Sequence, residues 1–423
     1  MSQRVRDRLV DLRRSLHQYP EPSWCEFHTT SRVVGEAEAI GVDELHLGAD
    51  ALDPAERMGV PDDEVLDRWH DRAAERGARE DVLDAAEGGL TGLVAVLDRG
   101  PGPTVGLRVD IDALRQTEST ADDHAPAAGG YRSETEGVMH ACGHDAHATI
   151  GLGTLEAVAE SDFAGTFVLF CQPAEEVVGG GRAMAATDHV ADLDHFLALH
   201  VGLGHPTGEV VAGADEALSV RQLAAEFAGE SAHAGAEPEA GRNVMQAVAA
   251  ATSNLYGIPR HSGGLTRVNV GRADVGSAPN VIASEGRIEM EVRGGDDDLR
   301  AYVAEHAYRT LDTAAEMHDC TVETETLATA PREDSDDSLR AVVGAVAEAT
   351  PGVDSVVPRA PLGVSEDATY LMRAAKDAGG DASFVVVGTD HPGGHHTARF
   401  DVDERTLQIG VDVLSATVER LGD

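Results

Sequence analysis

The segment Met139-His140-Ala141-Cys142-Gly143-His144-Asp145-Ala146-His147 gathers one thiol, three imidazoles and a carboxylate in a single short stretch. Few chain paths can serve such a cluster. Cys142 and His144 need a tight backbone turn between them, and Gly143 supplies the freedom for it. The segment reads as a loop that aims two ligands at one point. Thiolate and imidazole suit a transition metal far better than magnesium or calcium. A single cysteine is more often a small buried hydrophobe, so the reading needs support from elsewhere in the chain.

Three other segments supply it. Gln172-Pro173-Ala174-Glu175-Glu176 follows an apolar run with strand character at 166–171, and Pro173 ends that strand. Paired carboxylates at a metal site can divide the work, one binding metal while the other takes a proton from the attacking water. His200 closes the apolar run 196–201, and the glycine-rich loop Gly393-Gly394-His395-His396 follows the run 384–387. In α/β sheets functional groups gather beyond strand ends. Four such loops, each with metal-ligand side chains, point to a metallohydrolase.

Charge narrows the setting. Against 33 basic residues stand 75 acidic ones, for a net charge of −42, and Lys376 is the only lysine. Such a chain repels nucleic acid and anionic membranes. The acids are spread along the length and apolar residues make up 42%, which fits a folded protein with an acidic surface. Molar salt, with a Debye length of roughly 3 Å, would screen the self-repulsion, and arginine avoids the strongly hydrated ammonium of lysine. The composition therefore predicts a protein of a salt-rich cytoplasm. Cysteines at 25, 142, 171 and 320 show no disulfide spacing, and residues 1–8 hold no signal-peptide core.

Periodicity predicts helices over 4–18, 29–40 and 146–160, a charged helix-prone insertion over about 46–90, and neighbouring strands at 93–97 and 104–109. From about 216 the pattern becomes strand 221–227, helix 241–256, strands 265–271 and 283–292, helix 296–317 and strand 321–326, a β-α-β-β-α-β unit of ferredoxin-like type. The acidic stretch 332–337 reads as a linker back to the first domain. The domains expected are 1–215 with 331–423, and 216–330.

The motifs Leu12 to His17, Arg108 to Leu114, Cys142 to Asp145, Gln172 to Glu176, Ser231 to Gly235 and His396 to Phe400 together resemble the M20 family of metal-dependent amidohydrolases, in its branch of aminoacylases and hippurate and indole-acetyl-amino-acid hydrolases. The resemblance spans nearly the whole chain. The insertion, with Ser23 to Phe27 and His261 to Gly271, is similar to members that cleave p-aminobenzoyl-glutamate. It implies an α/β fold of two domains: a catalytic domain around a mostly parallel sheet, and an inserted ferredoxin-like α+β lid for dimerisation. It also implies that Cys142, His144, Glu176, His200 and His396 bind two divalent ions, manganese or zinc, with Cys142 bridging. Glu175 is then the general base and Asp110 a supporting acid. His233 reaches a partner's oxyanion, and Asn280 and Arg293 hold the substrate carboxylate. Arg293 also has a plainer reading, as an edge-strand arginine paired with Glu289 or Glu291, and Asp110 one as a turn residue. His17, His147 and His395 are read as non-ligands.

The implied reaction is hydrolysis of an N-acyl or N-aroyl amino acid, foremost p-aminobenzoyl-glutamate to p-aminobenzoate and glutamate. The implied assembly is a homodimer, or a heterodimer with a related B subunit. The alternatives are a hippurate-like or general deacylase and a metal-free member of a heteromer. Ala283 after Asn280-Val281-Ile282 and Gln116-Thr117 after Asp112-Ala113-Leu114 depart from the family's usual prolines, which bears on the substrate pocket rather than the metal chemistry.

Overall fold

The computed structural model describes residues 3–391 and 393–423. The chain runs α1 (Gln3–Gln18), α2 (Phe27–Ile40), β1 (Glu44–Leu47), α3 (Asp63–Glu75), α4 (Glu80–Ala85), β2 (Leu93–Asp98), β3 (Thr104–Asp110), α5 (Ala125–Gly129), α6 (His144–Ala159), β4 (Thr166–Gln172), α7 (Gly180–Ala185), β5 (His195–Val201), β6 (Glu209–Val211) and β7 (Ala214–Asp215). It continues through β8 (Ser219–Ala228), α8 (Val244–Leu255), β9 (Thr266–Val275), β10 (Glu285–Gly294), α9 (Asp297–Met317) and β11 (Thr321–Ala330). It ends with α10 (Asp337–Ala349), β12 (Ser355–Val357), β13 (Ala360–Pro361), α11 (Ala368–Asp377), β14 (Asp381–Val387) and α12 (Arg405–Gly422).

Two compact units form. The first holds residues 1–216, 333–362 and 366–423; the second holds 217–332 and 363–365. The short visit at 363–365 has no signal in the sequence.

In the first unit eight strands pair in the order β1-β2-β4-β3-β5-β14-β6-β12. Pairs β4/β3, β3/β5, β5/β14 and β6/β12 are parallel, while β1/β2, β2/β4 and β14/β6 are antiparallel. The sheet is therefore parallel at its centre and mixed overall. β2 and β3 are not neighbours, contrary to the sequence expectation, because β4 lies between them, antiparallel to one and parallel to the other. Runs such as Phe167-Val168-Leu169-Phe170 are apolar throughout because both faces of the sheet are covered. α6 packs with α1 and α12 over one face, and its buried glycines allow close contact: a Cβ on Gly151 would meet Val109, and one on Gly153 would meet Val411.

The insertion is built of β1, α3, α4 and short 3₁₀ turns. Trp24 anchors it, donating its indole N–H to Met58 O at 2.8 Å, and Phe27 packs with Ala73 and Leu83.

The second unit is a four-stranded antiparallel sheet in the order β11-β8-β10-β9, carrying α8 and α9. This is the ferredoxin-like order. β10 lies inside this sheet, so Arg293 is not on an edge strand.

Candidate metal centre

Parallel β3, β4, β5 and β14 deliver their C-terminal ends to one edge, with Asp110 opposite Gln172 and Val387 opposite Val201. The loops beyond that edge bring together Cys142, His144, Glu175, Glu176, His200 and His396. Two of the donor groups that result overlap at Cys142. In one, Cys142, His144 and His200 hold ligand atoms within 4.8 Å of one another; in the other, Cys142, Glu176 and His396 do so. Cys142 belongs to both.

The imidazoles are set by their far nitrogens. His144 Nδ1 lies 3.1 Å from Asp112 Oδ1 and donates to it, so the Nε2 lone pair faces inward, 3.7 Å from Glu176 Oε1 and 3.8 Å from Glu175 Oε2. His200 donates from Nδ1 to Val201 O at 2.8 Å and turns Nε2 toward Cys142 Sγ at 3.5 Å. His396 Nε2 is 3.5 Å from Glu176 Oε2. His147 differs: its Nε2 accepts Val201 N–H and its Nδ1 faces Asp110, which leaves no lone pair for a metal. His395 Nε2 lies 3.2 Å from Val201 O, and His17 is locked between Asp145 and Glu118.

Backbone strain marks the same loops. Ala174 and Val178 flank the Glu175-Glu176 turn with φ of 56° and 55°, and His396 has φ 60°. A β-branched residue in the left-handed region is an outlier that its surroundings must hold in place. Buried Glu26 accepts from Ala174 N and Thr91 Oγ1, Glu176 N donates to Asp112, and Gly179 N donates to Ala174 O.

Carboxylates outnumber fixed cations here. Asp110, Asp112, Glu175, Glu176, Glu366 and Asp367 surround one buried guanidinium, Arg108, which pairs with Asp110, Glu366 and Asp367 and donates to Gln172. Burial, then Glu366 and Glu176, pushes the Glu175 carboxyl far up. Burial raises Glu176 to about 8 against the pull of His144. Burial and both glutamates raise the Cys142 thiol. Burial alone would lower His144, but Asp110 and Asp112 outweigh it and raise it to about 10. Each of these shifts runs toward the protonated form, as an unmatched surplus of buried negative charge dictates. Meanwhile His144 Nε2 and Glu176 Oε1 are buried without hydrogen-bond partners. A divalent cation satisfies both conditions at once, so the donor set fits the metal pair.

His233 and Asn280 are on the second unit, where His233 Nδ1 accepts from Gly235 N and Ala236 N at 3.1 Å. Arg293 gives Nε and Nη2 to Glu291, each at 2.9 Å. Asp110 contacts His147 and lies 3.6 Å from His144, so Asp112 is the acid nearer that imidazole. Sequence reasoning passed over Asp112, although it stands two residues from Asp110 in the same motif. It also passed over Glu366 and Asp367, which meet Arg108 only in the folded chain.

Comparison with known proteins places these features in company. The profile of peptidase family M20/M25/M40 matches residues 106–420. Indole-3-acetyl-aspartic acid hydrolase of Enterobacter agglomerans is 42% identical over 97% of this chain and 94% of its own. In Escherichia coli K12, the A subunit of p-aminobenzoyl-glutamate hydrolase is 41% identical over 97% of this chain and 95% of its own. The crystal structure of an aminobenzoyl-glutamate utilization protein from Klebsiella pneumoniae superimposes with a TM-score of 0.85 at 35% identity, covering 99% of this chain and 96% of that one.

Proposed function

The chain belongs to peptidase family M20/M25/M40 and is a metal-dependent amidohydrolase, and from that premise we propose that it cleaves the amide of an N-acyl or N-aroyl acidic amino acid, with p-aminobenzoyl-glutamate as the leading substrate. The names of both relatives pair an aryl-bearing acyl group with an acidic amino acid. One observation carries the hydrolytic reading: His144 Nε2 and Glu176 Oε1 face inward, buried and without hydrogen-bond partners, beside Glu175.

In this reading Cys142, His144, Glu176, His200 and His396 would hold two divalent ions, manganese or zinc. Such ions polarise the scissile carbonyl and lower the pKa of water toward neutrality. Glu175 takes the proton of the attacking water on a carboxylate oxygen and returns it to the leaving amine. Asp112 and Asp110 steady the imidazoles behind it. Arg108 holds Glu366 and Asp367 in place under the base. His233 serves an oxyanion on another protomer, whether a second copy or a related B subunit, and Asn280 and Arg293 receive the substrate's free carboxylate. For Arg293 this means exchanging its Glu291 partner. The setting is a salt-rich cytoplasm.

The complete donor set favours an active enzyme over a metal-free member of a heteromer. Metal analysis of purified protein, followed by a substrate panel in molar salt scored by released amine, tests the proposal. Absence of bound divalent metal would remove the hydrolytic role, and preference for hippurate or an N-acetyl amino acid over p-aminobenzoyl-glutamate would move the substrate.

A further inference from the structure

On a chain of net charge −42, arginines that lack an acidic partner stand out. α3 carries Arg72 in its last turn, and Arg76 caps its C-terminus one turn further on, where their like charges oppose each other. Neither forms an ion pair among the described residues. The acids that act on Arg76 from a distance, Glu21 and Glu134, are engaged elsewhere: Glu21 accepts from His28 N and Thr29 N, and Glu134 from Gln18 Nε2.

Both guanidiniums converge instead on one hydroxyl. Arg72 Nη2 and Arg76 Nη2 each lie 3.3 Å from Thr135 Oγ1. Thr135 is 3% exposed. A hydroxyl oxygen has two lone pairs, and these two donors occupy both, so its remaining hydrogen-bonding capacity is to donate. An aromatic ring covers one face of each guanidinium: Arg72 lies over Trp69 at 5.1 Å and Arg76 over Tyr19 at 4.8 Å. The N–H edges remain free of the rings, and Arg76 Nη1 is buried there with no hydrogen-bond partner. Burial and the charge of Arg72 both lower the Arg76 pKa. Among the described residues the two guanidiniums share a single side-chain acceptor, Thr135 Oγ1, so the component the cluster lacks is an anion.

We propose that Arg72, Arg76 and Thr135 form a binding site for a small oxyanion, a phosphate or a carboxylate. The guanidinium fork matches the spacing of two oxygens on either group. The site joins the inserted helix α3 to the segment that runs from Thr135 into Cys142, so a bound anion fastens the insertion to the approach of the metal centre.

The test is calorimetric titration of metal-loaded enzyme at constant ionic strength, with inorganic phosphate in one arm and free glutamate in the other. Expected is one saturable anion per chain. Its affinity should fall at least tenfold in Arg72→Ala and Arg76→Ala, and clearly in Arg76→Lys, which keeps the charge, loses the fork and is the gentler replacement for the fold. Thr135→Val should weaken it by a smaller factor. Metal content should stay unchanged throughout. The metal centre can also attract anions, so Cys142→Ser is titrated in parallel and should retain this binding. Binding of phosphate alone assigns the site to a phosphoryl group, and binding of glutamate alone assigns it to a carboxylate. Three results overturn the proposal: no saturable binding of either probe, binding untouched by all the arginine replacements, or binding lost in Cys142→Ser but kept in the arginine variants.

Discussion

Replacing Asp112 by asparagine changes one atom and isolates what orients His144. In the native protein Asp112 Oδ1 accepts from His144 Nδ1 at 3.1 Å, and Oδ2 accepts from Ser23 Oγ at 2.6 Å and Glu176 N at 3.1 Å. Asparagine keeps one acceptor and turns the other into a donor. If the new amide faces the imidazole, Nδ1 must accept, the proton moves to Nε2, and the lone pair aimed at Glu176 disappears. If it faces Glu176 N and Ser23, the hydroxyl can turn to accept, but the Glu176 N–H is left facing a donor and the Glu175-Glu176 turn shifts. A hydrogen bond to a charged group is worth about 1.5–3 kcal/mol, and each 1.4 kcal/mol is tenfold in a binding constant. Metal affinity should therefore fall about 10-fold to 100-fold, the range seen when outer partners of ligating histidines are lost. Competition against a chromophoric chelator measures it, with far-UV circular dichroism to establish that the fold is kept. An Asp112→Asn protein that is folded and binds metal as tightly as wild type would refute the argument that Asp112 sets the His144 tautomer.

Glu175→Gln should keep its metal and lose on the order of 10² to 10⁴ in rate, because the amide cannot take a proton; turnover retained at full metal occupancy would place the base elsewhere. Cys142→Ser should lower metal per chain after dialysis, and unchanged stoichiometry would make Cys142 a core thiol. Mixing His233→Ala with Glu175→Gln protein and allowing protomers to exchange should restore activity if His233 acts in trans, since one site of the heterodimer then carries neither defect; verified exchange without recovery counts against it. His17 gives a pH signature. Burial and Arg13 pull its pKa down, but bonds to Asp145 and Glu118 outweigh them and raise it to about 9. The stabilisation is full below the unfolded value of about 6.5 and is lost as pH rises through 9, an effect of roughly 3 kcal/mol. Chemical denaturation between about pH 6 and pH 10, compared with His17→Gln, should show a steeper alkaline loss in the wild type; parallel curves would mean that His17 is not the titrating group.

What the sequence disclosed was local chemistry. The loops of candidate ligands stood out because thiol, imidazole and paired carboxylate are distinctive beside apolar strand runs, and the strands and helices of the second unit were legible because they alternate cleanly. Pairing was not legible. Nothing in the composition of 93–98 or 104–110 says that β4, some sixty residues later, separates them. The choice between Asp110 and Asp112 was hidden for a related reason: the strand ends at Asp110, and only the bend beyond it turns Asp112 toward His144. Glu366 meets Arg108 across more than two hundred and fifty residues, a closure that no periodicity encodes. The Arg293–Glu291 pair was the reverse case, since residues two apart on a strand share a face.

The discontinuity of the first unit has a consequence for biosynthesis. β14 sits between β5 and β6, yet it is the last strand made, and the second unit lies between it and β5 in the chain. On the ribosome, residues 217–332 form a contiguous antiparallel unit that can complete its sheet while β5 still presents an open, largely apolar edge. At synthesis rates of about 5–20 residues per second, that edge waits on the order of ten seconds for its neighbour. His396 emerges later still, so the two donor groups that share Cys142 cannot both be complete on the nascent chain. On the proposed ligand set, full metal loading would then follow translation, and the exposed β5 edge is the point at which a chaperone, or an aggregate, would find this protein first.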